Sequence, residues 1–442
     1  MTEFAWPLAM LVALVAGIFS GYPVAFVLSG IGIVFAFLAG VPILFLSTGV
    51  SRIYSGILTN WLLIAIPLFV FMGLMLERSG VAERLLRSLA ALFGRLPGGY
   101  AFAVAIIGVV MAASTGIIGA SVVLMGMMAL PAMTQARYDP KVSTGLIAAS
   151  GTLGILIPPS IMLIVLGDQL RVSVGDLFMG AIGPGLLLAG LYFLYLIAIA
   201  IFQPHRMPPL DHAPAESRKA AMLGLARDLL APIILVVSVL GTIVAGIATP
   251  TEAAAIGAAG AMILALFSGK LDLATLRTAV RDTTKTTAMI IFVMIGATIF
   301  SVIFRRLGGD EMVIHAFDAL GTGPYFVLFT IMALVFVLGF FLDWVEIALV
   351  VVPLVAPVVT SLDFGMTQPE TLTWFAIALA VNMQTSFLTP PFGYALFYLR
   401  GVAKDISIGT IYRGIIPFVL LQITALVLLI LFPQISLWMV SQ

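Results

Sequence analysis

The chain has 442 residues, of which 62% are hydrophobic and 9% charged, and its mean hydropathy is +1.20, a balance outside that of soluble globular domains. The net charge is +1 and the basic residues are scattered with no basic face beside aromatics, which argues against nucleic acid as a partner. There is no cysteine, so disulfides, haem attachment and thiolate metal sites are excluded, and His205, His212 and His315 have no ligand-like spacing.

Apolar stretches long enough for the ~30 Å hydrocarbon core recur from end to end, so the lipid bilayer is the expected solvent. The opening MTEFAWPLAM has no basic segment and no small-residue cleavage signature, and reads as a retained span. Predicted spans cover about 5–20, 22–41 and 60–77. A re-entrant hairpin at about 98–134, an interrupted helix at 143–167 and a final span at 177–202 follow. Residues 204–228, which with Gln203 before them open as QPHRMPPLDHAPAESRK, are polar and proline-rich and read as a surface linker. The order then repeats: spans at 229–247, 249–267 and 287–304, a hairpin at 325–360, an interrupted helix at 372–399 and a last span at 409–432.

The repetition is also legible in landmarks. Ile157-Pro158-Pro159-Ser160 is answered 232 positions later by Thr389-Pro390-Pro391-Phe392. At nearly that offset Tyr22-Pro23 pairs with Thr249-Pro250, Gly80 with Gly308, Tyr100 with Tyr325, Pro140 with Pro369, and Ser173-Val174-Gly175 with Ser407-Ile408-Gly409. Two membrane repeats, 1–203 and 229–442, are therefore expected. Short-loop Lys and Arg give their orientation. The loop near 78–95 has four arginines, while its partner near 305–318 has two basic residues and three acids. The loop near 268–285 has four basic residues against Arg52 alone near 43–59. Arg137 and Lys141 face a stretch with none, and Arg400, Lys404 and Arg413 face Arg171 alone. The bias changes sides at each comparison, the signature of inverted topology, with the linker cytoplasmic and both termini outside. Trp6, Trp61, Trp374 and Trp438 then fall near the outer interface.

The fold class expected is thus an all-α polytopic membrane protein of two inverted-topology repeats, each with a re-entrant hairpin and an interrupted helix. Chemistry is expected at the breaks. A proline lacks an N–H and displaces the carbonyl four residues earlier, so Pro158-Pro159 should free the carbonyls of Gly154 and Ile155, and Pro390-Pro391 those of Ser386 and Phe387. Free carbonyls at membrane depth must be buried in protein or line a polar cavity. Beside Ser150-Gly151-Thr152 and Gln384-Thr385-Ser386 they would form an oxygen-rich nest suited to Na⁺; the plain alternative is a kink that only shapes packing. The hairpin tips fall at Ser114-Thr115-Gly116 and near Asp343. An intramembrane carboxylate is a functional candidate by default, so Asp343 either coordinates an ion or makes a structural tip hydrogen bond. Glu346, one turn on, is an ion ligand or a partner of the helix N-terminus. Glu252 in Ala248-Thr249-Pro250-Thr251-Glu252 has the pattern of a helix cap.

Three stretches together resemble a family: the Ala248-Thr-Pro-Thr-Glu-Ala-Ala-Ala255 helix start, the Gly151-Thr-Leu-Gly-Ile-Leu-Ile-Pro-Pro-Ser160 break and the Gln384-Thr-Ser-Phe-Leu-Thr-Pro-Pro-Phe-Gly393 break. They are similar to the large membrane subunit of tripartite ATP-independent periplasmic (TRAP) transporters, over essentially the whole chain. The resemblance implies an elevator-type architecture of the ion-transporter superfamily and a sodium-driven importer in the bacterial inner membrane. It also implies two partners, a small four-helix membrane subunit and a periplasmic binding protein delivering a small organic acid. By the same resemblance one Na⁺ site would join Ser114, Thr115 and Gly116 to Gly151, Thr152 and Gly154. A second would join Asp343 to Thr385 and Thr389, beside Ser386. The chain departs from the family at its first tip, which reads Ser114-Thr-Gly-Ile-Ile-Gly-Ala-Ser121 where many members have a serine-rich stretch followed by an aspartate. A channel would show a repeated filter or rings of charge, and an enzyme a nucleophile with its base; a carrier coupled to Na⁺, or alternatively to protons, is the expected function, with no organic cofactor.

Overall fold

In a computed structural model, described for residues 4–93, 96–115, 118–209, 218–318, 323–391 and 393–440, all regular structure among the described residues is helical. Nine of these helices are long and apolar enough to cross a membrane, and shorter apolar helices accompany them. This is a multi-pass membrane protein, because so many apolar helices leave little but lipid to cover their outer faces.

The first half contains α1 (Ala5–Phe19), α2 (Val24–Leu38), α3 (Ile43–Ile53), α4 (Ala65–Arg78) and α5 (Val81–Phe93). Next come the hairpin arms α6 (Gly99–Thr115) and α7 (Ile118–Gln135), the interrupted pair α8 (Pro140–Thr152) and α9 (Ile161–Leu170), and α10 (Val174–Phe202). The second half runs α11 (Arg218–Val244), α12 (Pro250–Phe267), α13 (Leu273–Arg306), α14 (Gly309–Asp318), the first arm α15 (Pro324–Leu338), and a second arm of α16 (Trp344–Glu346), a π-helical turn Ile347–Val351 and α17 (Val352–Ser361). The interrupted pair α18 (Gln368–Leu388) and α19 (Tyr394–Val402), the long α20 (Ile408–Leu431) and the short α21 (Gln434–Leu437) complete it.

Local chemistry explains the boundaries. Thr249 caps α12 in a capping box: its hydroxyl accepts the Glu252 N–H while the Glu252 carboxylate accepts the Thr249 N–H at 2.7 Å. The capping role expected for Glu252 is therefore the one seen. Thr367 and Glu370 cap α18 in the same way. Ser173 and Ser407 accept the N–H of Asp176 and Thr410 at the starts of α10 and α20. Gly80 and Gly308, which follow α4 and α13, have φ of +69° and +85°, which glycine tolerates without a Cβ clash.

Two expectations change. Helix α11 begins at Arg218, so the C-terminal part of the 204–228 linker is helical; residues 210–217 lie outside the described residues. Trp374 does not face lipid: it is fully buried, and its indole donates to the Leu429 carbonyl at 2.9 Å. A tryptophan near a helix end satisfies the belt pattern in sequence whether it faces lipid or protein.

Small residues let helices meet backbone to backbone. α2 packs on α13 where a Cβ at Gly296 would press on the Ala25 carbonyl oxygen. α4 packs on α12 and α5 on α11. α8 meets α20 where a Cβ at Gly145 would strike the Gly414 carbonyl. Around α8 and α18 lie α6, α7, α9, α10, α15, α19 and α20. In α18 every residue from Thr373 to Leu388 is buried. A helix covered all round is the centre of its bundle.

Candidate functional site

The two breaks differ in form. α8 starts with Asp139 accepting the Lys141 N–H and Pro140 at its first position, and Arg206 holds the Asp139 carboxylate at 2.7 Å. It ends at Thr152, continues as a tight turn through Leu153–Ile155, and resumes at Ile161 after Pro158-Pro159. α18 runs straight to Leu388, after which Thr389 turns extended, with ψ of 128°, before Pro390-Pro391. Both Pro-Pro peptides are cis.

Of the four carbonyls expected to be freed, two are in use. The Ile155 carbonyl accepts the Ser160 hydroxyl at 2.5 Å, and the Ser386 carbonyl accepts the Thr389 N–H at 3.1 Å. Proline removed the helical donor, and a nearby serine and a turn supplied replacements.

Each hairpin packs on the break of its own half. α6 meets α8 where a Cβ at Gly108 would strike the Ser150 side chain, and α7 presses Val122 against Gly151. In the second half, a Cβ at Gly339 would overlap the Ser386 hydroxyl, and the Asn382 amide donates to the Met332 carbonyl of α15 at 2.8 Å.

Thr152, Thr385, Ser386 and Thr389 share a property: each hydroxyl donates to a carbonyl of its own segment, those of Ala149, Val381, Met383 and Thr385 respectively, at 2.7–2.9 Å. With the proton committed backwards, the oxygen lone pairs face outwards as acceptors. Gly151 and Gly154 are buried in the first break. Ser114 and Thr115 end α6, although their side chains, like the whole of Gly116, lie outside the described residues.

Asp343 is the N-cap of α16, its Oδ1 accepting the Trp344 N–H at 2.8 Å. Among the described residues it makes no hydrogen bond to Thr385 or Thr389. Glu346 lies one turn on, and its Oε2 is buried without a hydrogen-bond partner. Tyr394, at the start of α19, stands within electrostatic reach of both carboxylates.

One arrangement was not foreseen. Gln384 donates its amide nitrogen to the Thr152 hydroxyl at 3.4 Å, joining the two breaks, and its Oε1 and the Ser150 hydroxyl are buried without partners. Gln384 and Thr152 both stand among the polar groups that the sequence marks beside the breaks, but nothing in the sequence pairs them with each other. Buried oxygens without donors are rare in folded proteins and call for a ligand, water or ion.

Against this geometry, residues 11–435 match the family model for the tripartite ATP-independent periplasmic transporter, DctM component. The chain belongs to this family. DctM-family relatives include the C4-dicarboxylate TRAP transporter large permease protein DctM of Vibrio cholerae, 30% identical over 410 residues, covering 88% of each chain. The sialic acid TRAP transporter large permease protein SiaM of the same organism is 29% identical over 425 residues and 95% of each chain. Among solved structures, the YdaH transporter of Alcanivorax borkumensis shares the fold with a TM-score of 0.56 over 88% of each chain, at 19% identity. As a DctM component the chain is a transporter permease.

Proposed function

We propose that this chain is the large permease of a Na⁺-coupled secondary importer in the bacterial inner membrane. It would carry a small organic acid delivered by a periplasmic binding protein and work beside a small four-helix membrane subunit. The observation that supports the sodium reading is unpartnered buried oxygen at both breaks, Gln384 Oε1 in one and Ser150 Oγ in the other, with Gln384 reaching across to the Thr152 hydroxyl. An oxygen-only set with no histidine suits a hard, weakly charged cation. The names of the relatives, C4-dicarboxylate and sialic acid permeases, support an organic acid as the carried molecule.

The two halves are read as inverted repeats moving by an elevator mechanism. The parallel order of elements, the Pro-Pro breaks 232 positions apart and the alternating loop charge support this. Na⁺ bound at the hairpin tips and breaks would favour one state of the carrier through differential affinity. Proton coupling is the second reading, favoured by one observation: Glu346 Oε2 is buried without a partner one turn from Asp343. Uptake of succinate and of sialic acid into proteoliposomes holding the permease, its small subunit and its binding protein tests the coupling. Accumulation should require an inward Na⁺ gradient and the binding protein. Uptake unchanged with choline in place of Na⁺, but driven by a pH gradient, would replace sodium by the proton reading.

A further inference from the structure

A cavity of about 790 Å³ opens between α3 with its following turn, the end of α9, the C-terminal part of α13 and the second hairpin arm. That size lies within the ~300–1,000 Å³ typical of small-molecule sites. Its walls carry hydroxyl and amide groups from Ser55, Asn60, Thr298 and Ser301. They also carry Arg52, Arg171 and Arg305 against one acid, Asp168.

The acid is already engaged: Asp168 accepts Asn60 Nδ2 at 2.6 Å and Gln169 Nε2 at 2.9 Å. Arg305 is held by Asp310 at 3.5 Å. Arg52 and Arg171 make no ion pair among the described residues, and although Asp168 is within electrostatic reach of Arg171, the lining keeps an excess of positive charge. Arg171 also holds a left-handed backbone, φ +56°, at the end of α9, where a side chain is rarely found and glycine would sit more easily.

The distribution of charge sharpens this. In the topology proposed above, the outward-facing loops hold four arginines and no lysine: Arg52, Arg171, Arg305 and Arg306. Three of these line this cavity, while Arg306 lies over the Phe45 ring. A face otherwise dominated by acids would repel an organic anion everywhere except here.

We propose that this cavity is an anion vestibule in which Arg52 and Arg171 receive the carboxylate of the incoming organic acid before it reaches the hairpin tips. A guanidinium matches a carboxylate with two parallel hydrogen bonds, and Ser301 brings a hydroxyl for the rest of a small polar acid, while the Ser55 and Thr298 hydroxyls, which donate to the Ser51 and Met294 carbonyls, offer acceptor oxygens. The proposal rests on the organic-acid importer reading and its topology. It can fail while that reading stands.

The test exploits the absence of cysteine in the chain. Ser301→Cys, inside the cavity, and Ser47→Cys, exposed on α3 outside it, are labelled from outside in intact spheroplasts expressing the full complex. The reagents are an anionic and a cationic methanethiosulfonate. The vestibule predicts that the ratio of anionic to cationic rate at Ser301→Cys exceeds that at Ser47→Cys by about tenfold, the lower end for a cleft of one sign. Arg52→Gln with Arg171→Gln should bring the ratio back to that of the Ser47→Cys control, whereas Arg52→Lys with Arg171→Lys should keep most of it. Succinate, but not choline, should slow the anionic reagent in the arginine-bearing protein. Equal ratios at the two positions, with both reachable from outside, would overturn the vestibule and leave the importer reading intact. If Ser301→Cys is reached only after the membrane is opened, the topology fails and the vestibule fails with it.

Discussion

The Gln384 side-chain amide donates to the Thr152 hydroxyl at 3.4 Å, and the two residues lie 232 positions apart, the same offset that separates the two Pro-Pro pairs. Matching positions of the two halves thus meet at the centre of the molecule, so a change at either break is felt at the other.

This contact has a measurable consequence. Thr152→Val keeps the volume but removes the acceptor for Gln384, leaving a buried amide short of a partner at a cost of about 1–3 kcal/mol. Gln384→Leu removes the amide together with its unpartnered oxygen, and replacing both polar groups with apolar ones costs less. In thermal unfolding of the detergent-solubilised protein, the double variant should therefore be more stable than the sum of the single changes predicts. Additive losses would show that the contact carries no coupling.

Backbone proximity makes Gly145 a sensitive glycine of the inner bundle. Gly145→Val would drive its side chain into the Gly414 carbonyl of α20, where neither partner is a flexible side chain. Overpacking of this kind costs about 1–3 kcal/mol, and more where the backbone must move. Monodisperse yield in detergent should fall sharply for Gly145→Val, while Gly190→Val, with open space around it, should be tolerated.

The alternating loop charges predict a cytoplasmic linker. Ser217→Cys should resist an impermeant thiol reagent in intact spheroplasts and react once they are opened. Labelling of intact cells would reverse the topology, and with it the outward position of Arg52 and Arg171.

A structural ion pair anchors the linker to the start of α8. Arg206 holds Asp139, the cap of α8, with both side chains about a quarter exposed. Arg206→Gln should therefore lower thermal stability modestly, by about 0.5–2 kcal/mol, the range set by a partly screened pair and the cap it steadies. A transport defect with unaltered stability would instead give Arg206 a role in the cycle.

Much of the architecture was legible because its signals are local. Apolar runs too long for one span, Pro-Pro pairs and loop charge are written in consecutive residues, and the hairpins, breaks and spans fall close to where those signals put them. What was hidden depends on partners. Sequence showed that Pro158-Pro159 and Pro390-Pro391 displace donors, but not that Ser160 and the Thr389 N–H would satisfy the Ile155 and Ser386 carbonyls. It showed a carboxylate at the second tip, but not that Asp343 would cap α16. Arg52, Arg171 and Arg305 read as sparse charges in separate loops; only the fold brings them to one cavity.

Asp343 tests the central claim most directly. Because asparagine caps a helix about as well as aspartate, Asp343→Asn preserves the start of α16 while removing the charge. The measurement is the Na⁺ dependence of succinate and sialic acid uptake by the reconstituted three-component complex, wild type against Asp343→Asn, with thermal stability followed in parallel. Sodium coupling through the second tip predicts a well-folded variant whose Na⁺ requirement is raised and whose uptake is partly recovered at high Na⁺, since mass action offsets a weaker site. Asp343→Ala, with no oxygen to offer and no cap, should be worse on both counts. A variant that folds poorly, yet whose surviving fraction transports with the wild-type Na⁺ dependence, would contradict the account and leave Asp343 a purely structural cap.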